Sequence, residues 1–215
     1  CGEDASSFSS ENLPAGGTHP FGQVTVISSP YGDMKKYLSE EEIQRLDEFS
    51  PLPWMLLVDG FLSEDECEKL ISFGNSTGYE RSTEYTGDFD IDGSPKFIES
   101  DDRTSENTYC GEACVDDPIV KGVLKRMEEM TGIPDTNFES LQLVRYEVGQ
   151  FYKQHHDYSE TMSGTVPGHR ILTFFMYLND VEEGGGTKFE DLDYIAKPKR
   201  GSALIWPSVL DDDLE

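Results

Sequence analysis

Two side chains with metal-binding chemistry, His155 and Asp157, lie two residues apart within residues 141–158, LQLVRYEVGQFYKQHHDY. In an extended strand, residues i and i+2 point to the same face, so this imidazole and carboxylate can converge on one point. One histidine and one carboxylate are two of the three protein ligands in the facial triad that holds non-haem Fe(II) with open positions. The spacing therefore predicts part of an iron site, carried by a short strand after a break at Gly149.

The elements predicted around this pair are helices first and strands second. Helix-start signatures predict helices from Ser39 to about residue 49, from Ser63 through Phe73, and from Pro118 to a stop at Gly132. Strands are expected at residues 23–27, in the apolar stretch before Gly60, and over most of the chain after Asn137. Inward-facing positions of the third helix are Ile119, Val120, Val123, Leu124, Met127 and Met130. This order predicts an α+β fold in which helices buttress a β-sandwich.

Composition limits the domain count and the classes of partner. Residues 1–50 are rich in Ser, Gly, Pro and acidic residues, which suggests an extension that drapes over the domain, engages a partner or stays flexible. Residues 51–215 then form one domain. The net charge of -26 argues against binding to nucleic acid or to anionic membranes. We also expect no transmembrane segment, because no run of 18 apolar residues occurs.

The cysteines and one sequon bear on the compartment. Cys110 and Cys114 could close a small disulfide loop or stay reduced, and they lack the second pair of ligands that a structural zinc site needs. Cys67 lies in a predicted helix and is expected to be a small buried hydrophobe. Asn75 begins an N-x-[ST] glycosylation sequon. Together these features favour the secretory pathway or another organelle lumen.

Five blocks of the chain resemble, in order, the catalytic domain of prolyl 4-hydroxylases, which are Fe(II)- and 2-oxoglutarate-dependent dioxygenases. The blocks are FLSEDECEKLI, DDRTSENTYC, RYEVGQFYKQHHDY, HRILTFFMYLNDVEEGGGTKF and AKPKRGSALIW. The resemblance implies a double-stranded β-helix, or jelly roll, buttressed by N-terminal helices. It also implies an enzyme that converts peptidyl proline to 4-hydroxyproline, with Fe(II), 2-oxoglutarate and L-ascorbate as cofactors and a proline-containing peptide or protein as substrate.

The same resemblance assigns roles to individual residues. The implied metal ligands are His155 and Asp157, the implied 2-oxoglutarate contacts are Tyr146 and Thr173, and the implied peptide-groove residues are Arg103, Ser105 and Tyr152. Arg103 could instead be a surface residue paired with a neighbouring aspartate.

A third metal ligand is missing from this pattern. The family places a second histidine on a later strand, followed by the Lys or Arg that binds the C5 carboxylate of 2-oxoglutarate, and neither His19 nor His169 matches that position. We expect the natural polypeptide to continue past Glu215 and to supply this histidine. Alternatively, the protein is a non-catalytic peptide-binding or structural subunit of a larger assembly. A third possibility is an iron site completed by a halide or water, as in related halogenases.

Residues 88–99 allow two interpretations. Asp88, Asp90, Asp92, Gly93 and Glu99 fit the D-x-D-x-D-G-x5-E pattern of an EF-hand calcium loop. The proline at position 95 and the lack of flanking amphipathic helices argue against calcium. In proteins that this chain resembles, the same place is a mobile loop that closes over the substrate peptide, so an acidic lid is the alternative.

Overall fold

Helices and antiparallel strands make up the fold, and the computed structural model describes residues 18–19, 21–28, 54–158 and 168–209. The helices are α1 (Glu64–Thr77), α2 (Glu112–Val115) and α3 (Pro118–Thr131), with 3₁₀ turns at Asp135–Asn137 and Glu190–Leu192. The strands are β1 (Thr18–His19), β2 (Gly22–Ser28), β3 (Met55–Asp59), β4 (Glu80–Arg81), β5 (Thr83–Phe89), β6 (Pro95–Glu99), β7 (Glu106–Tyr109), β8 (Gln142–Arg145), β9 (Leu172–Met176), β10 (Thr187–Phe189), β11 (Tyr194–Ala196) and β12 (Ala203–Pro207). This mixture agrees with the predicted α+β class. The helix predicted from Ser39 lies outside the described residues.

The largest sheet has five antiparallel strands in the order β1-β2-β3-β12-β9. Ala203, Leu204 and Ile205 of β12 are at most 2% exposed, because this strand lies between β3 and β9 and is covered on both faces. The strand predicted at residues 23–27 is confirmed as β2, which pairs with β3. Part of the N-terminal region thus belongs to the main sheet, and a domain boundary at residue 50 stays a prediction.

Three smaller antiparallel sheets complete the described structure: β4-β7-β8, the hairpin β5-β6, and β10-β11. Strand β8 leads into the segment of the candidate site, and Leu143 is buried within it. Because β8 pairs with β7 along its whole length, the chain that leaves β8 at Arg145 starts from a fixed position.

Helix α1 begins at the predicted capping box. The Ser63 hydroxyl accepts a hydrogen bond from the Glu66 backbone N–H, and the Glu66 carboxylate accepts one from the Ser63 N–H. The same carboxylate forms a two-pronged ion pair with the Arg126 guanidinium of α3, at 2.8 Å for each contact. One residue therefore starts α1 and also joins it to α3.

The predicted end of α1 after Phe73 was wrong, because the helix continues through Gly74 to Thr77. A Cβ at position 74 would lie 2.1 Å from the Tyr79 hydroxyl oxygen, so Gly74 is needed for close packing rather than for a turn. The helix ends instead at Gly78, whose φ of 90° is accessible mainly to glycine.

Helix α3 follows its predicted bounds, with Asp117 as the N-cap, Pro118 in the first turn and Gly132 as a left-handed C-cap. Most of the predicted inward face is confirmed, and Val120, Val123, Met127 and Met130 are buried. Ile119 is the exception, at 37% exposed. It lies in the first turn, where a side chain directed toward the helix N-terminus extends past the core.

Cys110 and Cys114 form a disulfide, which decides between the two alternatives that the sequence left open. The bond joins the end of β7 to α2, and the Cys110 N–H also donates to the Leu141 carbonyl just before β8. Cys67 is buried and free, as predicted. Within the described residues, no helix combines the length and the apolar character needed to cross a membrane.

Candidate active site

The segment that carries His155 and Asp157 follows β8 and has no regular strand structure. The prediction of a strand here was wrong, although the predicted break is present as Gly149, with a φ of 87°. The segment's backbone groups pair with residues 102–104 instead of with a neighbouring strand. These contacts are the Arg103–Tyr152 bridge, Lys153 N to Asp102 O at 2.8 Å, and Thr104 N to Phe151 O at 2.8 Å. Residues 102–104 therefore hold the chain in place directly before the His-x-Asp pair.

The orientation of the His155 ring is set by two neighbours. The ring Nδ1 lies 2.7 Å from the Lys153 carbonyl oxygen, and a carbonyl can only accept, so Nδ1 carries the proton. The Tyr152 ring stacks on the imidazole with 3.6 Å between ring centroids and 16° between the ring planes. Nε2 is thereby left as the nitrogen that can bind a metal, which is the usual arrangement of a metal-binding histidine.

The Asp157 carboxylate lies close to the His155 Nε2 atom. Its Oδ1 lies 3.2 Å from the His155 Nε2, and its Oδ2 accepts a 2.5 Å hydrogen bond from the Thr173 hydroxyl on β9. Two ligand atoms that bind one metal ion at right angles, each about 2.1 Å from the metal, are about 3.0 Å from each other. The observed spacing fits that requirement, so these residues could supply two adjacent ligands of an Fe(II) site.

The surroundings shift the pKa of both groups. Burial raises the pKa of the Asp157 carboxyl, but the hydrogen bonds from His155 and Thr173 lower it by more, so that it ends below its ordinary value. Burial lowers the pKa of His155, but the hydrogen bonds to Asp157 and to the Lys153 carbonyl raise it by more. Without a metal, each partner stabilises the charged form of the other.

A third ligand does not join the pair within the part of the chain that the structure describes, where no cluster of three His, Cys, Asp or Glu side chains occurs. His156 lies between the two candidate ligands and is exposed. The His169 ring stacks on Tyr158 at 5.4 Å between centroids.

Of the predicted groove residues, Arg103 and Tyr152 are neighbours of the metal pair. The Arg103 guanidinium lies 4.7 Å from the centroid of the Tyr152 ring, a cation–π contact. Because the Tyr152 ring also stacks on the His155 imidazole, it lies in contact with both groups. Burial is the main cause that raises the pKa of Tyr152, to about 12, with Arg103 opposing it. The predicted alternative, Arg103 paired with an adjacent aspartate, is not observed; Asp102 pairs with Lys153 instead.

Tyr146 and Ser105 differ in exposure. Tyr146 is 45% exposed, and burial of its hydroxyl raises its pKa against the opposing effects of Ser105 and Arg103. Ser105 is fully buried and donates a 3.0 Å hydrogen bond to the Ser82 hydroxyl. Its hydroxyl is therefore engaged inside the protein, while the roles of both residues toward ligands stay predictions.

The EF-hand hypothesis for residues 88–99 is contradicted by the register of the β5-β6 hairpin. Glu99 pairs with Thr83 at the base of the hairpin, whereas the tip is closed by a turn in which Gly93 N–H donates to the Asp90 carbonyl. Glu99 is four positions along β6 from residue 95 near the tip, a distance of about 13 Å. Glu99 therefore cannot close a site around the aspartates. The acidic lid stays a prediction.

One neighbour of the site was missed by the sequence analysis. Ser208 lies 3.2 Å from the Thr173 hydroxyl, just past the end of β12. The available signal was the period of two on this strand, which places position 208 on the same face as Trp206. The sequence does not show that β12 lies beside β9, so the period of two could not place Ser208 next to Thr173.

Comparisons with known proteins agree with this geometry. A model of the 2OG-Fe(II) oxygenase superfamily matches residues 141–212, which include His155, Asp157, Thr173 and Ser208. Two similar relatives from Arabidopsis thaliana are probable prolyl 4-hydroxylase 4, 33% identical over 79% of this chain and 63% of its own length, and probable prolyl 4-hydroxylase 7, 32% identical over 75% and 55%. The chain thus spans less than two thirds of the curated relatives it matches.

A solved structure is similar in fold. The viral collagen prolyl hydroxylase of Paramecium Bursaria Chlorella virus-1, in complex with 2OG, matches with a TM-score of 0.52 and 27% identity. The match covers 71% of this chain and 77% of the viral one. The predicted resemblance to prolyl 4-hydroxylases and to the 2OG-Fe(II) oxygenases is thereby confirmed.

Proposed function

We infer that this chain is the catalytic region of an Fe(II)- and 2-oxoglutarate-dependent oxygenase of the prolyl 4-hydroxylase type, which converts proline in peptides or proteins to 4-hydroxyproline. The observation that carries the inference is the approach of His155 Nε2 to Asp157 Oδ1 within 3.2 Å, inside the region that matches the superfamily. The names of the relatives supply the class of substrate, and the site supplies the chemistry that such a reaction needs.

The protein's own residues divide the work of this reaction. When bound, Fe(II) and 2-oxoglutarate would activate dioxygen to supply an oxidant that can place a hydroxyl group on an unactivated C–H bond. His155 and Asp157 would hold the metal, with the Lys153 carbonyl fixing the ring so that Nε2 points toward it. Tyr146 would contact the distal carboxylate of 2-oxoglutarate through its hydroxyl.

Substrate binding is proposed on the side of the site formed by Arg103, Ser105 and Tyr152. The Arg103 guanidinium lies over the Tyr152 ring, which gives a flat cationic and aromatic surface beside His155. Aromatic rings suit proline, whose side chain is a rigid apolar ring. Because Ser105 is buried, it would contribute through its backbone or by holding its neighbours rather than through an exposed hydroxyl.

The β5-β6 hairpin is proposed as the lid over this surface. It leaves Phe89 and Phe97 more than half exposed, at 60% and 55%, although both are large apolar side chains. The Tyr85 ring contacts both, with centroid distances of 6.2 and 5.9 Å. An exposed aromatic face on a two-stranded hairpin suits transient contact with a peptide.

Further features of the proposal concern fold, cofactor and compartment. The antiparallel sheets support a jelly roll, in which the five-stranded sheet forms one half. L-ascorbate is proposed as the reductant by resemblance alone. The Cys110–Cys114 disulfide supports an oxidising compartment such as the secretory pathway.

The test uses the full-length natural protein with Fe(II), 2-oxoglutarate, ascorbate and a synthetic proline-rich peptide. We expect succinate to form and the peptide to gain one oxygen, with 4-hydroxyproline identified by amino-acid analysis. His155→Ala and Asp157→Asn should abolish both products, because each removes one of the two proposed ligands. Thr131→Val, at the end of α3, is a matched control that removes a half-buried hydroxyl bonded to the Met127 carbonyl and should keep the activity.

Two other outcomes would contradict the proposal in different ways. Peptide binding without succinate or 4-hydroxyproline, in the presence of all cofactors, would favour the non-catalytic peptide-binding subunit. Succinate formation with hydroxylation of a residue other than proline would retain the oxygenase and reject the prolyl substrate.

A further inference from the structure

A chain of three side chains connects β12 to the candidate metal ligand Asp157. The Thr173 hydroxyl on β9 lies 2.5 Å from Asp157 Oδ2 and 3.2 Å from the Ser208 hydroxyl. Thr173 and Asp157 are both half-buried, so these hydrogen bonds are partly shielded from water.

The sheet register brings the two hydroxyls together. Trp206 pairs with Thr173 in the β12-β9 ladder, and the Ser208 N–H donates to the Ile171 carbonyl at 2.9 Å, which extends the ladder by one step. Position 208 is two residues beyond Trp206 and therefore lies on the same face, diagonal to Thr173. The contact between the hydroxyls is thus fixed by the backbone pairing of two strands.

The directions of these hydrogen bonds follow from the number of protons available. An ionised carboxylate can only accept, so Thr173 must donate its single hydroxyl proton to Asp157. Ser208 must then donate to the Thr173 oxygen. A donor that itself accepts a hydrogen bond is polarised and becomes a stronger donor, so Ser208 strengthens the bond that Thr173 makes to Asp157.

This proton count bears on the role that the resemblance assigns to Thr173. A carboxylate of 2-oxoglutarate is also an acceptor, and Thr173 has no second proton to give it while it donates to Asp157. Contact of the Thr173 hydroxyl with the co-substrate would therefore require loss of the bond to Asp157.

We propose that Thr173 and Ser208 are positioning residues that act together on Asp157, holding Oδ2 on β9 so that Oδ1 faces His155 Nε2. The proposal rests on the proposed function, because the purpose of the orientation is to bind the metal. Loss of a partner that orients a ligand typically weakens metal affinity by about 10- to 100-fold. Without Thr173, the carboxylate is free to rotate about its Cβ–Cγ bond, and fewer of its orientations direct Oδ1 toward the histidine.

The test measures binding of Mn(II), a redox-stable divalent probe, to the full-length protein without 2-oxoglutarate, by calorimetry or by the electron paramagnetic resonance of free Mn(II). Thr173→Val keeps the shape of the side chain but removes the hydroxyl, and it should weaken the Mn(II) Kd by about 10- to 100-fold. Thr173→Ser keeps the donor and should bind within a few-fold of wild type. Ser208→Ala should weaken binding by less than Thr173→Val, since it removes only the polarising donor.

Controls separate positioning from a general loss of structure. Thr131→Val makes the same change at another half-buried threonine, whose hydroxyl donates to the Met127 carbonyl at the end of α3, and should leave the Mn(II) Kd unchanged. At saturating Mn(II), the Kd for 2-oxoglutarate should be the same in wild type and in Thr173→Val.

Each other outcome overturns the inference. An unchanged Mn(II) Kd in Thr173→Val with a weaker 2-oxoglutarate Kd would make Thr173 a co-substrate contact. Equal losses in Thr173→Ser and Thr173→Val would show that the hydroxyl is not what matters. If wild-type protein binds no Mn(II), both this inference and the proposed function are rejected. If wild type and Thr173→Val bind Mn(II) with the same Kd, only the inference is rejected.

Discussion

Reduction of the Cys110–Cys114 disulfide should destabilise the protein by an amount that can be calculated from the chain. The bond joins residues four apart in sequence, and the entropy lost by closing so small a loop in the unfolded chain corresponds to about 2 kcal/mol. For a domain of this size, that loss lowers Tm by about 4 to 8 °C.

Reduction of the disulfide should change the folded structure little. Cys110 and Cys114 are 4% and 3% exposed, so reduction leaves two thiols packed in the core where the bond was. The Cys110 N–H still donates to the Leu141 carbonyl, which keeps β7 beside β8. We therefore expect the effect to come mainly from the unfolded state, with the folded site unchanged.

The assay is urea unfolding of the oxidised and the reduced protein, followed by tryptophan fluorescence. The double variant Cys110→Ala/Cys114→Ala is the control, and its stability should not respond to the reductant, because Cys67 is already a buried free thiol. Equal unfolding free energies for oxidised and reduced wild type would refute the argument. An equal response of the double variant to reductant would assign the effect to another cysteine.

Two further predictions concern pH and a glycine. The folded state raises the pKa of His155, so this group stabilises the metal-free fold fully below its unfolded pKa of 6.5, and the stabilisation is lost as the pH rises through the folded pKa. The folded state lowers the pKa of Asp157, so this group stabilises the fold fully above its unfolded pKa of 3.8, and that stabilisation is lost as the pH falls through the folded pKa. Tm measured with EDTA should therefore fall as the pH rises above 6.5, and Asp157→Asn should flatten that slope; parallel profiles would contradict the coupling. Gly201→Ala should cost more than about 2 kcal/mol in urea unfolding, since its φ is 79° and a Cβ would lie 2.4 Å from the Leu62 carbonyl oxygen. Gly60→Ala, with a φ of 72° and open space around it, is the matched control and should cost only about 1 to 2 kcal/mol; equal losses would show that the Leu62 contact has no effect.

Local features of the fold could be predicted because the interactions that cause them are local. The Ser63–Glu66 capping box and the Gly132 cap each involve residues within one turn of helix, so the sequence alone contains both partners. The end of α1 could not be predicted in this way. Whether Gly74 stops the helix or sits inside it depends on Tyr79, which packs against it in the folded chain.

The candidate site divides along the same line. The types and spacing of His155 and Asp157 specify two metal-binding donors close together, and this holds even though the segment is not the predicted strand. The calcium pattern at residues 88–99 failed for the opposite reason. It depends on the path of the backbone between its ligands, and hairpin pairing directs Glu99 to the base.

By itself, the sequence determined which side chains are available for chemistry and where the two long helices begin. Only the tertiary structure decided what orients those side chains, because the partners come from distant parts of the chain. Asp157 bonds to Thr173, 16 positions away in sequence, and Thr173 in turn contacts Ser208, 51 positions from Asp157. Tyr152 meets Arg103 through the bridge between two loops. Such contacts depend on the order and register of strands, and these are set by the simultaneous packing of the whole core rather than by any local pattern.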